Sequence, residues 1–522
     1  MKNMKLKLIG IMLLIAGICS CDSQLDIPKH GSLDFDTYYK TDKEAESAIA
    51  SIYLKIRDME FHYKLMKNLF ADDFWPGGSF RNDNVDLESM NEFTFDTNNS
   101  YIESLFIQYY NIVYRANVVL AYVEPDTKIK AQMVAEAKVF RAWAYFELTS
   151  LWGNPPLVTH PLSPSEYERP NATSEELWGV VEKDLTEAIE SGYLTSKKSV
   201  NDNSNYRVTK EYAYALLGKA YLWQKKYTEA SVAFEHVIGS GLYALYEGNY
   251  GDILTTRASN CSESLFESNR VDDPENVYDN YNYYQLMINW RIDHFGSVPA
   301  SYGLYATGYG YCTPRKALYD AFVAEEGENG YRLTQSIKIY DQLVNDGATL
   351  SSNIYGEGYF NWKIRYEATD CPGSGWGCSI NNLRWMRYAE VLLCAAEANF
   401  HADNPDKVKQ YMDLIRIRAR VGTKPSYTLL DIKNEKRLEL YGECVRYQDL
   451  IRWDDDNDGT GASVMLADQG KEYPIMTTNG IVSYNKSNTE GKYGFKEKHR
   501  LLPYPYKEIS QNSAIIQNPG WE

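Results

Sequence analysis

The sequence predicts a mainly α fold, a scaffold of tetratricopeptide-like helical pairs carrying a large irregular, loop-rich insertion. Three observations predict it. Residues about 36–239 and 384–453 hold apolar side chains at helical spacing. Within them, Glu211 to Gly239 follows the small-and-large pattern of a tetratricopeptide repeat. Between Gly239 and Arg384 the periodicity stops and glycine, asparagine and tyrosine crowd together, as in long loops that carry binding residues.

The amino terminus comes first. Lys2, Lys5 and Lys7 precede the apolar run Leu8 to Ile18, too short to span a bilayer, and residues 1–20 read as a lipoprotein signal peptide. Ile18-Cys19-Ser20-Cys21 resembles a bacterial lipobox. Cys21 fits as the lipidated residue, whereas Cys19 has Ile18 directly before it; an ordinary cleaved signal is the alternative. Cleavage removes three lysines from the 54 Lys and Arg, leaving 51 against 71 Asp and Glu, so the charge moves from −17 to −20. That balance excludes nucleic acid as a partner, because a phosphate backbone needs clustered Lys and Arg. Acyl chains at Cys21 would hold the acidic body on a membrane without a spanning helix.

The helices follow in order. Tyr101 to Tyr122 and Ile129 to Leu151 are separated by Glu124-Pro125-Asp126, and Met133, Ala137, Phe140, Ala144 and Leu148 form one stripe. Thr173 with Glu176 makes a capping box for a helix from Ser174 to about Ser191. Tyr214, Leu217, Gly218, Tyr221, Ala230 and Phe234 sit at tetratricopeptide offsets, Arg387 to Arg420 reads as a looser copy, and Leu430 to Trp453 as one further helix. Cys394 and Cys444 read as small core residues. Cys371 and Cys378 flank a flexible Pro-Gly-Ser-Gly-Trp-Gly, where a disulfide and a pair of thiols are both open.

The aromatic content points to a wet binding surface: 44 Tyr and 11 Trp outweigh 17 Phe, so most rings have a polar edge. A sugar ring has an apolar C–H face and a hydroxyl edge, and its site needs flat exposed rings flanked by hydrogen-bonding side chains. The segment Ala71 to Asn84 offers Asp73, Trp75, Arg81 and Asn82 together, with Trp75 expected at the surface because Pro-Gly-Gly follows it. Trp290 and Trp376, in the insertion, are expected to complete a platform with Tyr283 or Tyr305; a Tyr-rich packing layer is the alternative for any one ring. Catalysis is not expected. Asp72 and Asp73 are the only suggestive carboxylate pair, adjacent residues point apart, and the seven histidines lie in no triad-like context. Asp454, Asp456, Asp458 and Gly459 match the first half of a calcium loop, but Met465 stands where the bidentate Glu belongs, so a solvated acidic turn is preferred over a structural calcium ion. No other cofactor is required.

Several blocks spanning nearly the whole chain resemble the SusD/RagB family of outer-membrane, glycan-binding nutrient-uptake lipoproteins of Bacteroidetes. They are Ala135 to Phe146 with Leu151-Trp-Gly-Asn-Pro-Pro-Leu-Val158, Arg384 to Leu393 with Ala396-Glu-Ala398, Ile432 to Glu443 with Arg446 to Trp453, and Leu502-Pro-Tyr-Pro505 with Gln517-Asn-Pro-Gly-Trp521. Lys436 before Arg437 departs from the usual Glu-Arg pair. Asp22 and Asp26 are similar to the acidic residues that follow the lipidated cysteine in surface-exported lipoproteins. The charges Arg141, Arg387, Glu390, Glu397, Arg437, Glu439, Arg446 and Asp449 within these blocks lie on helices beside apolar stripes and read as ion pairs that fix helix crossings. The resemblance implies one SusD-like domain over residues 21–522, with the insertion at about 240–383 and an irregular segment at 454–522. It further implies a lipid-anchored protein facing outward on the outer membrane, which captures oligosaccharide or polysaccharide and delivers it to a SusC-like TonB-dependent transporter. A peptide-binding protein of the same uptake type is the second reading and a surface glycoside hydrolase the third.

Overall fold

A computed structural model describes residues 38–522 apart from 274, 372–375 and 488–490; Cys21 and the export segment lie outside the described residues. The amino-terminal part runs α1 (Asp42–Asp58), α2 (Glu60–Leu69), β1 (Phe74–Gly77), α3 (Val85–Glu92), α4 (Ser100–Tyr122), α5 (Lys128–Trp152), α6 (Ser174–Glu190), α7 (Lys210–Trp223) and α8 (Tyr227–Gly239). Threonine opens α1, α5, α6 and α7: Thr41, Thr127, Thr173 and Thr209 each accept a backbone N–H of the first turn, which fixes where those helices start. The expected capping box of Thr173 with Glu176 forms.

Each helix from α4 to α8 packs on the next, and α8 passes the stack on to α13 (Tyr388–His401) and α14 (Pro405–Arg418). The pair α7 and α8 shows why a glycine is needed. A Cβ on Gly218 would stand 2.7 Å from the Phe234 ring, so the helices could not approach this closely with any larger residue.

The insertion is more regular than its composition suggests. It holds β2 (Ser264–Ser268), α9 (Tyr283–Ile288), β3 (Phe295–Ser297), β4 (Tyr311–Pro314), α10 (Lys316–Glu326), α11 (Tyr331–Ser336), β5 (Ile337–Ile339), α12 (Tyr340–Asn345), β6 (Thr349–Leu350), β7 (Tyr359–Asn361) and β8 (Leu383–Arg387). The strands pair antiparallel, β1 with β4, β2 with β8, β3 with β6 and β5 with β7. Since β1 lies outside the insertion and β8 ends it, running directly into α13, two of these pairings stitch it to the helical scaffold.

The expected single helix over Leu430 to Trp453 is two, α15 (Leu429–Glu439) and α16 (Arg446–Trp453). Gly442 at φ +76° and Cys444 at φ +68° take left-handed backbone between them, which no helix continues through. The break turns Glu443 towards Arg387 and Lys363, at 2.6 and 2.5 Å. Arg387 also binds Glu263 and Glu439, each at 2.7 Å. Burial alone would raise the Glu439 carboxyl; Arg418, Arg387 and Arg332 hold it well below the usual carboxylate range. The other charges singled out in these blocks are paired as well, with partners the sequence did not name: Arg141 with Asp184 at 2.7 Å, Glu390 with Lys219 at 2.6 Å, Glu397 with Arg452, and Asp449 with Lys436 at 2.9 Å.

The carboxy-terminal segment carries α17 (Ala462–Met465), the hairpin β9 (Glu472–Met476) and β10 (Val482–Lys486), and α18 (Tyr506–Gln511). The acidic turn before it does not gather its carboxylates around one point. Asp454 accepts from the Ser463 N–H and hydroxyl, while Asp456 and Asp458 lie 2.7 and 2.6 Å from the Lys433 ammonium. Among the described residues no group of His, Cys, Asp or Glu is placed to hold a metal ion.

Candidate functional site

The segment Ala71 to Asn84, expected to present Trp75 to solvent, folds inward. Asp72 binds Arg446 at 2.8 Å and Asp73 binds Arg437 at 2.7 Å, which tethers the chain to α15 and α16. The residues that follow form β1 and pair with β4, Trp75 opposite Thr313. The Trp75 ring is 8% exposed, with the Arg315 guanidinium 3.8 Å from its centroid. Arg81 is bound by Glu88 at 2.7 Å and by Glu92. Asn82 is exposed on left-handed backbone, with its N–H donating to Glu88 Oε1 at 2.6 Å. Trp290 is buried as well; its indole donates to the Asn361 carbonyl at 2.7 Å and packs with Phe295 and Phe360 in a second, smaller core. Asp73, Trp75 and Trp290 are therefore structural.

The other three expected residues gather elsewhere. Tyr283 and Trp376 stand 38% and 46% exposed, and Tyr281 lies between them. The Tyr281 ring stacks towards Tyr283 at 6.2 Å between centroids, and Trp376 tilts against the other side of Tyr281, also at 6.2 Å. Tyr305 is half-buried next to this group; its hydroxyl accepts from the Gly377 N–H at 3.2 Å and its ring stacks on Tyr366 at 4.4 Å.

The local backbone explains the arrangement. Asn282 caps α9 by accepting from the Gln285 N–H, which fixes Tyr283 at the first helical position. The Asn282 N–H donates to the Gly377 carbonyl at 2.9 Å, and Tyr281 forms a β-bridge with Cys378. Gly377 is at φ +72°, and a Cβ there would come within 2.7 Å of Leu286 and 3.0 Å of the Tyr281 ring, so Trp376 reaches Tyr281 only because the next residue is glycine. The bond from the Tyr309 N–H to the Leu286 carbonyl sets Tyr309 edge-on against Tyr283 at 6.0 Å. Cys371 and Cys378 are not joined; the Cys378 thiol leans on the Trp376 carbonyl at 3.8 Å.

Below Tyr283 the support comes from the helical scaffold. Phe61 of α2 meets Tyr283 at 4.9 Å and Tyr101 of α4 at 5.7 Å, with His62 beside both. Burial draws His62 down to about 4, so its ring is neutral at physiological pH. Partial burial, with the neighbouring phenols, raises Tyr281 and Tyr283 above the usual value, so both stay protonated. The face is uncharged and aromatic. Its floor holds spare polar capacity: Asn282 Nδ2, Gln285 Oε1 and Gln108 Oε1 are buried with no hydrogen-bond partner. Local sequence reading passed over Tyr281, Phe61, Tyr101 and Tyr309. The run Tyr278-Asp-Asn-Tyr-Asn-Tyr-Tyr284 was the signal for Tyr281, whereas nothing near Phe61 or Tyr101 pointed to them.

Comparison with known proteins gives the same outline. Residues 319–521 match the model described as the SusD family, and residues 33–222 match one described as starch-binding associating with outer membrane. The chain is similar to the SusD-like protein P25 of Formosa agariphila, 24% identical over 98% of each chain. Among solved structures it resembles a laminarin binding SusD-like protein, with a TM-score of 0.76, 26% identity, and coverage of 92% of this chain and 100% of that one. It also resembles surface glycan-binding protein A from Bacteroides thetaiotaomicron in complex with laminarihexaose, with a TM-score of 0.73, 25% identity, and coverage of 91% and 99%.

Proposed function

We propose a function from the premise that this chain belongs to the SusD family: it captures a neutral oligosaccharide or polysaccharide at the cell surface and passes it to a TonB-dependent transporter in the outer membrane. The observation that carries the reading is the exposed arc of Tyr283, Tyr281 and Trp376, whose successive ring centroids are 6.2 Å apart. Exposed aromatic rings can stack on the C–H faces of sugar units, and phenol and indole edges can bond their hydroxyls. An uncharged face on an acidic protein suits a neutral chain better than a polyanion. The likeness to proteins named for binding laminarin and laminarihexaose supports a glucan as the first ligand to test.

The protein acts by binding and not by hydrolysis. A glycosidase needs one carboxyl able to give a proton and one free to attack or to activate water. Asp72 and Asp73, the pair the sequence singles out, are each consumed by arginine. Acylation at Cys21 supplies the membrane attachment, and a barrel partner receives the ligand.

Affinity electrophoresis through laminarin and starch gels tests the central reading. The parent should be retarded in at least one of them and Trp376→Ala should not, while polysaccharide incubated with the parent keeps its length. A parent that migrates freely in both gels and in a wider neutral panel refutes glycan capture, and shortened polymer refutes the non-catalytic reading. For the finer claims, Cys21→Ala should leave the membrane fraction, and mild detergent extraction should recover a transporter barrel with the parent.

A further inference from the structure

A second cavity, of about 490 Å³, opens where the carboxy-terminal end of α5, the start of α6 and the α7–α8 junction meet the segment around Arg500. It shares no lining residue with the aromatic arc. Its volume lies within the range of small-molecule sites, roughly 300–1,000 Å³. Two features give it a chemistry.

The first is a set of fixed rings. Trp178 and Trp223 both line the cavity, and both meet Phe146 edge to face, at 6.0 and 6.3 Å. Tyr227, across the α7–α8 junction, is held flat against His401 at 4.1 Å. Lys225 in that junction takes φ +61°, a conformation seldom adopted by a residue with a side chain, and it brings the two lining aromatics to the same opening.

The second feature is charge that is already balanced. The lining cations Lys225, Arg452, Lys498 and Arg500 are matched by Glu397, Asp455, Asp456 and Glu497. Arg452 is held by Glu397, Arg500 by Glu497 at 2.9 Å and Lys225 by Asp455 at 2.9 Å, while Lys498 lies over the Trp521 ring and Asp456 is bound by Lys433. A ligand entering here meets donors and acceptors in plenty but no net charge to neutralise.

An unpaired hydroxyl lies nearby. Thr149 lines the cavity and is 5% exposed; its Oγ1 is shut off from solvent beneath the lining and has no hydrogen-bond partner. A helical threonine normally turns its hydroxyl back on the carbonyl one turn earlier, and a buried hydroxyl left without a partner is unfavourable. Fixed aromatic rings, balanced charge and a polar lining together describe a site for a hydroxylated, uncharged ligand with an apolar face.

We propose that this cavity is a second saccharide site, taking one or two neutral pyranose units independently of the aromatic arc. It does not rest on the arc's being a glycan site. The test is ¹⁹F NMR on the whole protein carrying 5-fluorotryptophan, with the signals assigned through Trp223→Phe, Trp178→Phe and Trp376→Phe. Maltose, cellobiose and laminaribiose are the probes. At least one should shift the Trp178 and Trp223 signals saturably, in the parent and in Trp376→Ala alike. Thr149→Val should melt no lower than the parent, because the change removes a buried hydroxyl that has no partner. Trp223→Ala should cost roughly tenfold or more in affinity for that disaccharide. The proposal falls if none of the three sugars moves Trp178 and Trp223, or if Trp223→Ala binds like the parent. It also falls if these signals respond to an added peptide and not to sugar, which would make the cavity a protein interface. A silent Trp376 signal beside responsive Trp178 and Trp223 would count against the arc alone.

Discussion

Removing the Trp376 side chain separates binding from folding. The ring is 46% exposed, so of the roughly 150–250 Å² that a tryptophan can bury, about 100 Å² remains for a ligand to cover. At about 25 cal/mol per Å² this is about 2.5 kcal/mol if a sugar covers the whole exposed face, or a weakening of about sixtyfold on truncation to alanine. Partial coverage gives less, so a loss between about tenfold and sixtyfold is expected. The fold should hardly notice. Trp376 contacts Tyr281 from one side, and the bonds that fix its segment are made by the backbone of Gly377 and Cys378, which the mutation leaves in place. Isothermal calorimetry with laminarihexaose, or whichever oligosaccharide the gels select, measures the affinity, and a thermal melt checks the fold. If Trp376→Ala binds within threefold of the parent, or if it melts far below the parent, the ring is not the exposed stacking face inferred for it.

Trp290→Ala and Trp75→Ala should behave in the opposite way, each destabilising by about 3–5 kcal/mol as buried tryptophans do, with any binding defect tracking the fraction unfolded in denaturant titration. Gly377→Ala should weaken glycan binding with a smaller effect on melting, because the new Cβ forces Leu286 and the Tyr281 ring apart; unchanged calorimetry would show that the segment can shift freely. Binding should be flat between about pH 5 and 9, since His62 titrates near 4 and the phenols of Tyr281 and Tyr283 lie above their ordinary value of 10.0; a step near pH 6.5 would refute the neutral-histidine assignment. Stability should respond to acid. The Glu439 carboxyl is held below its ordinary 4.5, so its contribution is complete above that value and is lost as pH falls below it, and Glu439→Gln should melt lower at neutral pH with a shallower acid dependence.

The helices were legible because their signals are local. Periodicity, a threonine cap or a proline break lies within a few residues of each boundary, and Gly218 with Phe234 announces a close helix pair from within one repeat. That Tyr283 and Trp376 stand exposed, with Tyr305 beside Gly377, was also legible, since rings crowded among glycine and asparagine cannot all find a core. Trp75 and Trp290 were not, and for one reason. What buries Trp75 is Arg437 and Arg446 drawing in its neighbours and β4 pairing with its strand, all more than 200 residues away. What buries Trp290 is a carbonyl on Asn361. A Pro-Gly-Gly following a tryptophan describes a chain that can turn, and it says nothing of which way the ring then faces. The break between α15 and α16 lay nearer the surface of the sequence, in Gly442 and the residues around it, but the apolar spacing on either side concealed it.

The buried charges and the exposed rings belong to one design. Ion pairs inside a protein add little net stability, but removing one partner costs about 3–5 kcal/mol, so they specify geometry more than they strengthen it. Here Arg387 on β8 joins Glu263 before β2 to Glu439 and Glu443 at the α15–α16 break, and Arg437 joins that same scaffold to the chain leading into β1. β1 holds β4, and the residues just before β4 bond to α9, which carries Tyr283. The rings of the arc are thus held in place through a succession of charge-fixed and strand-fixed contacts, and a sugar arriving there need not order them. Binding to a surface already in position avoids the entropy of immobilising several large side chains, about 0.5–1.5 kcal/mol for each. On the function proposed above, that saving would help a few half-exposed rings to retain a ligand as heavily hydrated as a neutral glycan, and it predicts that loosening Arg387 or Arg437 would weaken capture from a distance.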